Sequence, residues 1–330
     1  MSEEIIERIS AQCDRDGFPF YRFTTGEKFQ TVVGLMESDP SRWIQNGKIQ
    51  QSSTGLGVAW SYFPHSWSVR CNKAKTAMEA FTDPVVRRRA LKSRLKWGKD
   101  RALMPNGEMS QSNLRKAFRT CSGVQCVSNF RPTAAQAIYD LLGGGVVWDP
   151  CAGFGGRLLG AMTSPKVRKY IATDPSTETF KGLQAMAEEL NGWKTGIELH
   201  QECAEMFIPK EPLSVVFTSP PYFNCEKYSD EPTQSWKRYT TPAEWNEGFL
   251  RPVIRQAFAS LKPKGWLALN VANVRSHNSL ESDCVRIARQ EGFVLETVLD
   301  LLLASIAFCG QKAEPVFIFR KETAKHGLLL

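Results

Sequence analysis

The sequence predicts an α/β chain built on a doubly wound, mostly parallel sheet of about seven strands. Three observations predict it. From Val146 onward, short apolar runs alternate with stretches of helical periodicity. The run Val146-Val147-Trp148 closes on Asp149 and Pro150, enters a loop carrying Gly153, Gly155 and Gly156, and turns helical near Arg157, which is strand, loop and helix in one stretch. A second apolar run, Leu213 to Thr218, leads straight into Ser219-Pro220-Pro221-Tyr222.

Taken in order, the first 60 residues say little. Ile5, Ile6 and Ile9 sit at helical spacing, residues 31–36 fit a short strand or a helical turn, and residues 47–57 read as a loop. The aromatics of WSYFPHSWSVR, from Trp60 to Arg70, suit a nucleic-acid groove and a core equally well. Pro84 opens a basic helix in which Val85, Val86, Ala90, Leu91 and Leu95 share a buried side and Gly98 ends it. Ser112 is placed to cap a further basic segment. Thr133 and Gln136 have the spacing of a capping box, opening a helix that three glycines stop. Residues 170–173 and 196–200 follow as the second and third strands of the sheet. Thr241 and Glu244 cap the helix after the Pro-Pro turn, Pro263-Lys264-Gly265 ends it, and Trp266 to Val271 is the fifth strand. A helix near residues 282–290 and the runs 294–303 and 315–319 complete the alternation.

The glycine loop is not a phosphate cradle. It lacks the Gly-Lys-Ser/Thr of a P-loop, and Leu158 occupies the last glycine position of G-x-G-x-x-G. A small, non-phosphorylated nucleoside suits it better, with its backbone approached at a helix N-terminus and Asp149 bonding a ligand amine or hydroxyl. Asp174 ends the second strand 19 residues beyond Gly155, the separation at which a βαβ unit brings an acid to a ribose edge.

Together the stretches DPCAGFG and SPPY resemble the amino-methyltransferases of DNA, whose marks are Asp-Pro-x-x-Gly-x-Gly and (Ser/Asn/Asp)-Pro-Pro-(Tyr/Phe), in that order. The resemblance spans roughly residues 123–320 and implies a Rossmann-like class I methyltransferase fold, with the last strand antiparallel between the fifth and sixth. It implies S-adenosyl-L-methionine as cofactor, bound by Asp149, Pro150, Cys151, Gly153, Gly155 and Asp174. Phe130, Arg131 and Thr133 line its methionine end, and Glu202 and Cys203 lie at the adenine. The catalytic turn is Ser219, Pro220, Pro221 and Tyr222: Ser219 and the Pro220 carbonyl accept the amine hydrogens of a flipped base on which Tyr222 stacks. Serine at the head favours N4 of cytosine over N6 of adenine. Two departures stand out. Cys151 replaces the usual aromatic, and no target-recognition domain follows the SPPY loop.

Net charge is +8, and between His65 and Arg119 fourteen lysines and arginines face four acids, so this segment holds the whole excess. That points to a polyanion, with duplex DNA contacted by Arg70, Arg87, Arg88, Arg89, Lys92 and Arg94. The expected organisation is a basic region over 1–120 and a methyltransferase domain over 121–330. Nine cysteines at irregular spacing, without a signal peptide or Cys-x-x-Cys, suggest neither disulfides nor a metal site and place the protein in the cytoplasm. No apolar stretch is long enough to span a membrane. Other readings remain: an RNA base methyltransferase, a non-catalytic adaptor on the same fold, and carbon-5 methylation through Cys151.

Overall fold

The computed structural model describes residues 3–50, 52–98, 102–120, 123–190, 192, 195–303 and 311–322. The chain divides into two compact units, one of residues 1–22, 64–128 and 226–228, the other of residues 23–63, 129–225 and 229–330. This division differs from a single boundary at 120, because residues 23–63 pack with the sheet.

Seven long strands form the sheet unit: β1 (Gly145–Asp149), β2 (Val167–Thr173), β3 (Gly196–His200), β4 (Leu213–Thr218), β5 (Leu261–Asn270), β6 (Phe293–Leu302) and β7 (Ala313–Lys321). Their order is 3-2-1-4-5-7-6, and the short strand Lys48–Ile49 pairs parallel to the outer end of β6. β1 to β5 run parallel, whereas β7 is antiparallel to both β5 and β6. This is the Rossmann-like doubly wound sheet expected, with the last strand inserted as the resemblance implied. The inner strands β1 and β4 form because their runs are apolar on both faces, as a buried parallel sheet requires, whereas β3 and β6 are largely half-buried or exposed. Trp148, Tyr170, Phe217 and Phe319 are fully buried.

Of the two readings open for residues 31–36 the helical one holds: they belong to the helix Thr25–Met36, started by a Thr24–Glu27 capping box. Other local readings are corrected. Thr133 and Gln136 make no such box: Pro132 takes the first helical position, so Arg131 is the cap, and buried Gln136 instead donates to the Leu35 and Thr163 carbonyls. The expected Thr241–Glu244 box is present. The helix Arg251–Ser260 ends before Pro263, and residues 263–265 form an irregularity inside β5, with Lys264 at φ 64°. Trp60 and Phe63 are core residues against Phe154.

The other unit is helical, with helices Glu3–Asp16, Pro84–Gly98 and Gln111–Thr120 around Phe18, Trp67, Phe81 and Phe118. Its last helix is capped by Ser110, whose hydroxyl accepts from Asn113 N, rather than by Ser112. Arg70–Cys71 pairs antiparallel with Glu226–Lys227. In helix Pro84–Gly98 the buried side differs from expectation: Val85 is 69% exposed, while Arg87 is buried and paired with Asp14 at 2.5 Å.

That burial removes Arg87 as a phosphate contact. Arg88 is paired with Glu3 and Glu7, Lys92 with Glu3, and Arg70 with Glu79, while Arg94 donates from Nε and Nη2 to Asn113 Oδ1. Arg89 is exposed and makes no ion pair among the described residues. Exposed Lys96 lies on the same helix, its ammonium 5.9 Å from the ring of Trp97, which is 65% exposed. Lys99 and Arg101 lie outside the described residues. Neutralising Arg89 and Lys96 is therefore expected to lower the salt-dependence slope of nucleic-acid binding by about 2, whereas Arg87→Ala lowers the melting temperature instead. Binding isotherms at several salt concentrations check the first, and an unchanged slope assigns those charges to solubility.

Candidate active site at the carboxyl edge of the sheet

β1 and β4 are adjacent and parallel, with Trp148 opposite Val216, so the loops that leave them emerge side by side at the carboxyl edge. Here the strand order reverses, which is where open α/β sheets form their ligand crevice. The glycine loop is tied to both neighbouring strands. Cys151 N donates to Thr218 Oγ1 at 3.2 Å, Ala152 N to the Thr173 carbonyl at 3.0 Å, and Thr173 Oγ1 to the Pro150 carbonyl at 2.6 Å.

Asp149 is the anchor beneath this loop, its carboxylate engaged within the chain. It has no exposure, and its carboxylate accepts from Arg157 Nε at 2.8 Å, Tyr170 OH at 2.7 Å and Cys151 N at 3.3 Å. Arg157, itself buried, also donates to the Cys151 carbonyl, so one ion pair clamps both ends of the turn. Its guanidinium lies 5.7 Å from the Phe130 ring.

The glycines divide by task. A Cβ on Gly156 would lie 1.7 Å from the Phe130 carbonyl oxygen, so this glycine allows the following helix to dock against the segment Asn129-Phe130. Gly153 adopts φ 59° and faces open space, with only Cys151 O at 3.9 Å from a Cβ built there. Gly155, at φ 71°, packs against Met186 and Phe63. Of the three, Gly153 leaves room for a ligand.

Asp174, at the end of β2, is partly exposed and accepts from Gly153 N and Ser176 N, each at 3.0 Å. Burial pushes its carboxyl up to about 6, against the pull of those two backbone bonds. Buried Thr133 Oγ1 and Ser176 Oγ have no hydrogen-bond partner among the described residues. Orphaned buried hydroxyls are uncommon. With an acid at the β2 end and an open glycine backbone, this donor and acceptor set fits a nucleoside carrying an amino-acid tail.

The remaining expected cofactor residues are placed as follows. Phe130 packs edge-on against Phe217 of β4. Arg131 donates to the Leu302 carbonyl at the end of β6, so its guanidinium is engaged away from the glycine loop. Glu202 is exposed beyond β3, and Cys203 Sγ donates to the Thr233 carbonyl at 3.5 Å. The Cys151 thiol is pushed well up by burial and by the neighbouring Asp149 and Asp174 charges, the opposite of the lowered value that activates a nucleophilic thiolate.

On β4's side, Ser219 is half-buried and its hydroxyl makes no hydrogen bond among the described residues. Pro220 is buried, Pro221 half-buried, and the Tyr222 hydroxyl lies 3.4 Å from Asn270 Oδ1 and 3.3 Å from Glu314 Oε2. Phe223 follows at φ 56°, a left-handed conformation costly for an aromatic residue, and is held by Trp245 and His277 in edge contacts. The long polar loop beyond it returns to the sheet edge, where Glu231 accepts from Thr177 N at the head of helix Thr177–Glu189.

Sequence reasoning missed Arg157, Tyr170, Thr218, Glu231, Asn270 and Glu314. Thr218 carried a signal, since it directly precedes the SPPY turn. Glu314 carried none, being 92 residues from Tyr222.

No protein-family model matches the chain, and no curated protein matches it. Among solved structures, a methyltransferase from Pyrococcus furiosus aligns at 17% identity over 58% of this chain and 83% of that one, with a TM-score of 0.42. TrmN from Thermus thermophilus aligns at 20% identity over 58% of this chain and 48% of that one, with a TM-score of 0.41. Magnesium protoporphyrin IX methyltransferase from Synechocystis PCC 6803, solved with bound SAM, aligns at 13% identity over 57% and 76%, with a TM-score of 0.40.

Proposed function

We propose that this chain transfers a methyl group from S-adenosyl-L-methionine to an exocyclic amine of a nucleobase in DNA, N4 of cytosine ahead of N6 of adenine. The observation that carries the reading is the bond from Cys151 N to Thr218 Oγ1, because it ties the loop that would hold the cofactor to the strand that presents the SPPY turn. A donor gripped by one and an acceptor held by the other then share a single crevice.

In this reading Gly153 and Asp174 hold the nucleoside, and Phe130 and Thr133 border its amino-acid end. Glu202 and Cys203 stand at the adenine. When bound, the cofactor supplies a methyl group on a sulfonium, an already activated leaving group, so the chain has no need of a covalent nucleophile or a metal.

The amine is the harder partner, since its lone pair is delocalised into the ring. Ser219 and the Pro220 carbonyl accept hydrogen bonds from its two N–H groups and draw the nitrogen towards tetrahedral geometry, and the extra proton it carries once methylated leaves to solvent. Proline fixes φ, so these acceptors are preorganised. Tyr222 stacks on the extruded base. Arg89 and Lys96 supply phosphate contacts.

Asp174 makes the reading pH-dependent. Its folded-state value lies above the ordinary one, so its contribution to folding is complete below about pH 4 and is lost as the pH rises through about 6. Accepting from a ribose hydroxyl favours the ionised form, so affinity for S-adenosylmethionine is expected to weaken as the pH falls through about 6. Calorimetric titrations between about pH 5 and pH 8 check this, and a flat profile removes Asp174 from the hydroxyl.

The deciding experiment is incubation with methyl-labelled cofactor and either duplex DNA or total RNA, followed by digestion to nucleosides and mass identification. N4-methylcytosine in DNA is expected. Label entering RNA alone overturns the DNA assignment in favour of an RNA base, and failure to bind the cofactor returns the chain to a non-catalytic platform.

A further inference from the structure

The antiparallel insertion of β7 has a local effect. It brings the start of that strand, Ala313 to Pro315, to the same edge of the sheet at which β4 and β5 end, with Val316 opposite Asn270. An acid at this point in the sequence thereby reaches the SPPY turn. We propose that Glu314 is the positioning residue of that turn: its carboxylate accepts from the Tyr222 hydroxyl at 3.3 Å and fixes the ring that stacks on the target base.

The inference rests on the amino-methyl-transfer reading and deepens it. The two prolines fix the backbone before Tyr222, but they leave the side-chain torsions of Tyr222 free, so something must hold the ring's far end. Among the described residues, Asn270, by its carbonyl at 3.5 Å and its side chain, and Glu314 meet its hydroxyl. Asn270 is buried, and its amide is oriented by Nδ2 donating to the Pro315 carbonyl at 3.1 Å, which leaves Oδ1 facing Tyr222 at 3.4 Å. Glu314 Oε2 is the nearer acceptor, at 3.3 Å.

The surroundings of Glu314 are those of an acid kept in place at some cost. Burial pushes its carboxyl up, and the bond from Tyr222, the Arg131 charge and the Asn270 side chain pull it back, while Glu281 on helix Leu280–Gln290 adds to the rise. Arg131 is held nearby by its bond to the Leu302 carbonyl. No sheet-building role calls for a carboxylate here, since β5 and β7 pair through their backbones.

The test compares the full-length protein with Glu314→Ala, Glu314→Gln, Tyr222→Phe and the Glu314→Ala/Tyr222→Phe double variant. Turnover on DNA, cofactor affinity and melting temperature are read for each. Glu314→Ala is expected to lower kcat about tenfold with cofactor affinity unchanged within about twofold. Glu314→Gln, which keeps an acceptor oxygen, recovers most of that loss. Tyr222→Phe matches Glu314→Ala, and the double variant is no worse than either. Additive losses in the double variant, or a Glu314→Gln variant as impaired as Glu314→Ala, overturn the proposal. Failure of the underlying reading looks different, as a wild-type chain that labels no nucleic acid. The melting temperatures still form a cycle in that case, and additive shifts there dismiss the Glu314–Tyr222 link on their own.

Discussion

Asp149→Ala is expected to cost about 3–5 kcal/mol of stability, because it strands a buried guanidinium. Arg157 loses the partner that lies 2.8 Å from its Nε, Tyr170 loses its acceptor, and Cys151 N loses one of two. The melting temperature should fall by roughly 10 °C. Cofactor binding goes with it, since the loop is held from beneath by this one ion pair. Replacing both partners together, Asp149→Leu with Arg157→Met, should recover a large part of the loss, as apolar replacements of buried pairs commonly do. A Asp149→Ala variant that melts like the wild type yet binds no cofactor would put the carboxylate back against the ligand.

Ser219→Ala separates chemistry from folding in the opposite way. The hydroxyl is half-buried and makes no hydrogen bond among the described residues, so its removal should shift stability by no more than about 0.5 kcal/mol. Turnover should nevertheless drop about 100-fold, the usual cost of deleting one preorganised polar contact to a reacting group. Cofactor affinity should stay unchanged, because the serine belongs to the acceptor's half of the crevice. Single-turnover methyl transfer measured beside calorimetry reads both, and an unaltered rate would take the SPPY turn out of the reaction.

The strands and their two loops were legible because buried parallel strands, glycine turns and Pro-Pro stops each leave a local pattern. Side-chain partnership was not. Arg157 reads as the opening of a helix, yet its energetic partner is eight residues back and beneath the loop. Arg87 was grouped with its exposed neighbours because helical periodicity places charge outward, and no local rule announces Asp14 as the partner that brings it in. The same limit explains Val85, which the apolar stripe claimed and the fold leaves in solvent. Glu314 shows the limit at its widest, since only the reversal of one strand brings it to Tyr222.

The left-handed backbone at Phe223 has a consequence for the economy of each encounter. Its cost is carried by the packing of Trp245 and His277, which is completed when the chain folds. Under the proposed reading, a base docking here finds the bend already made, and none of its docking energy is diverted into reshaping the receiver. Relaxing that bend, by glycine at 223 for example, would leave a more supple receiver that must be set anew at every visit.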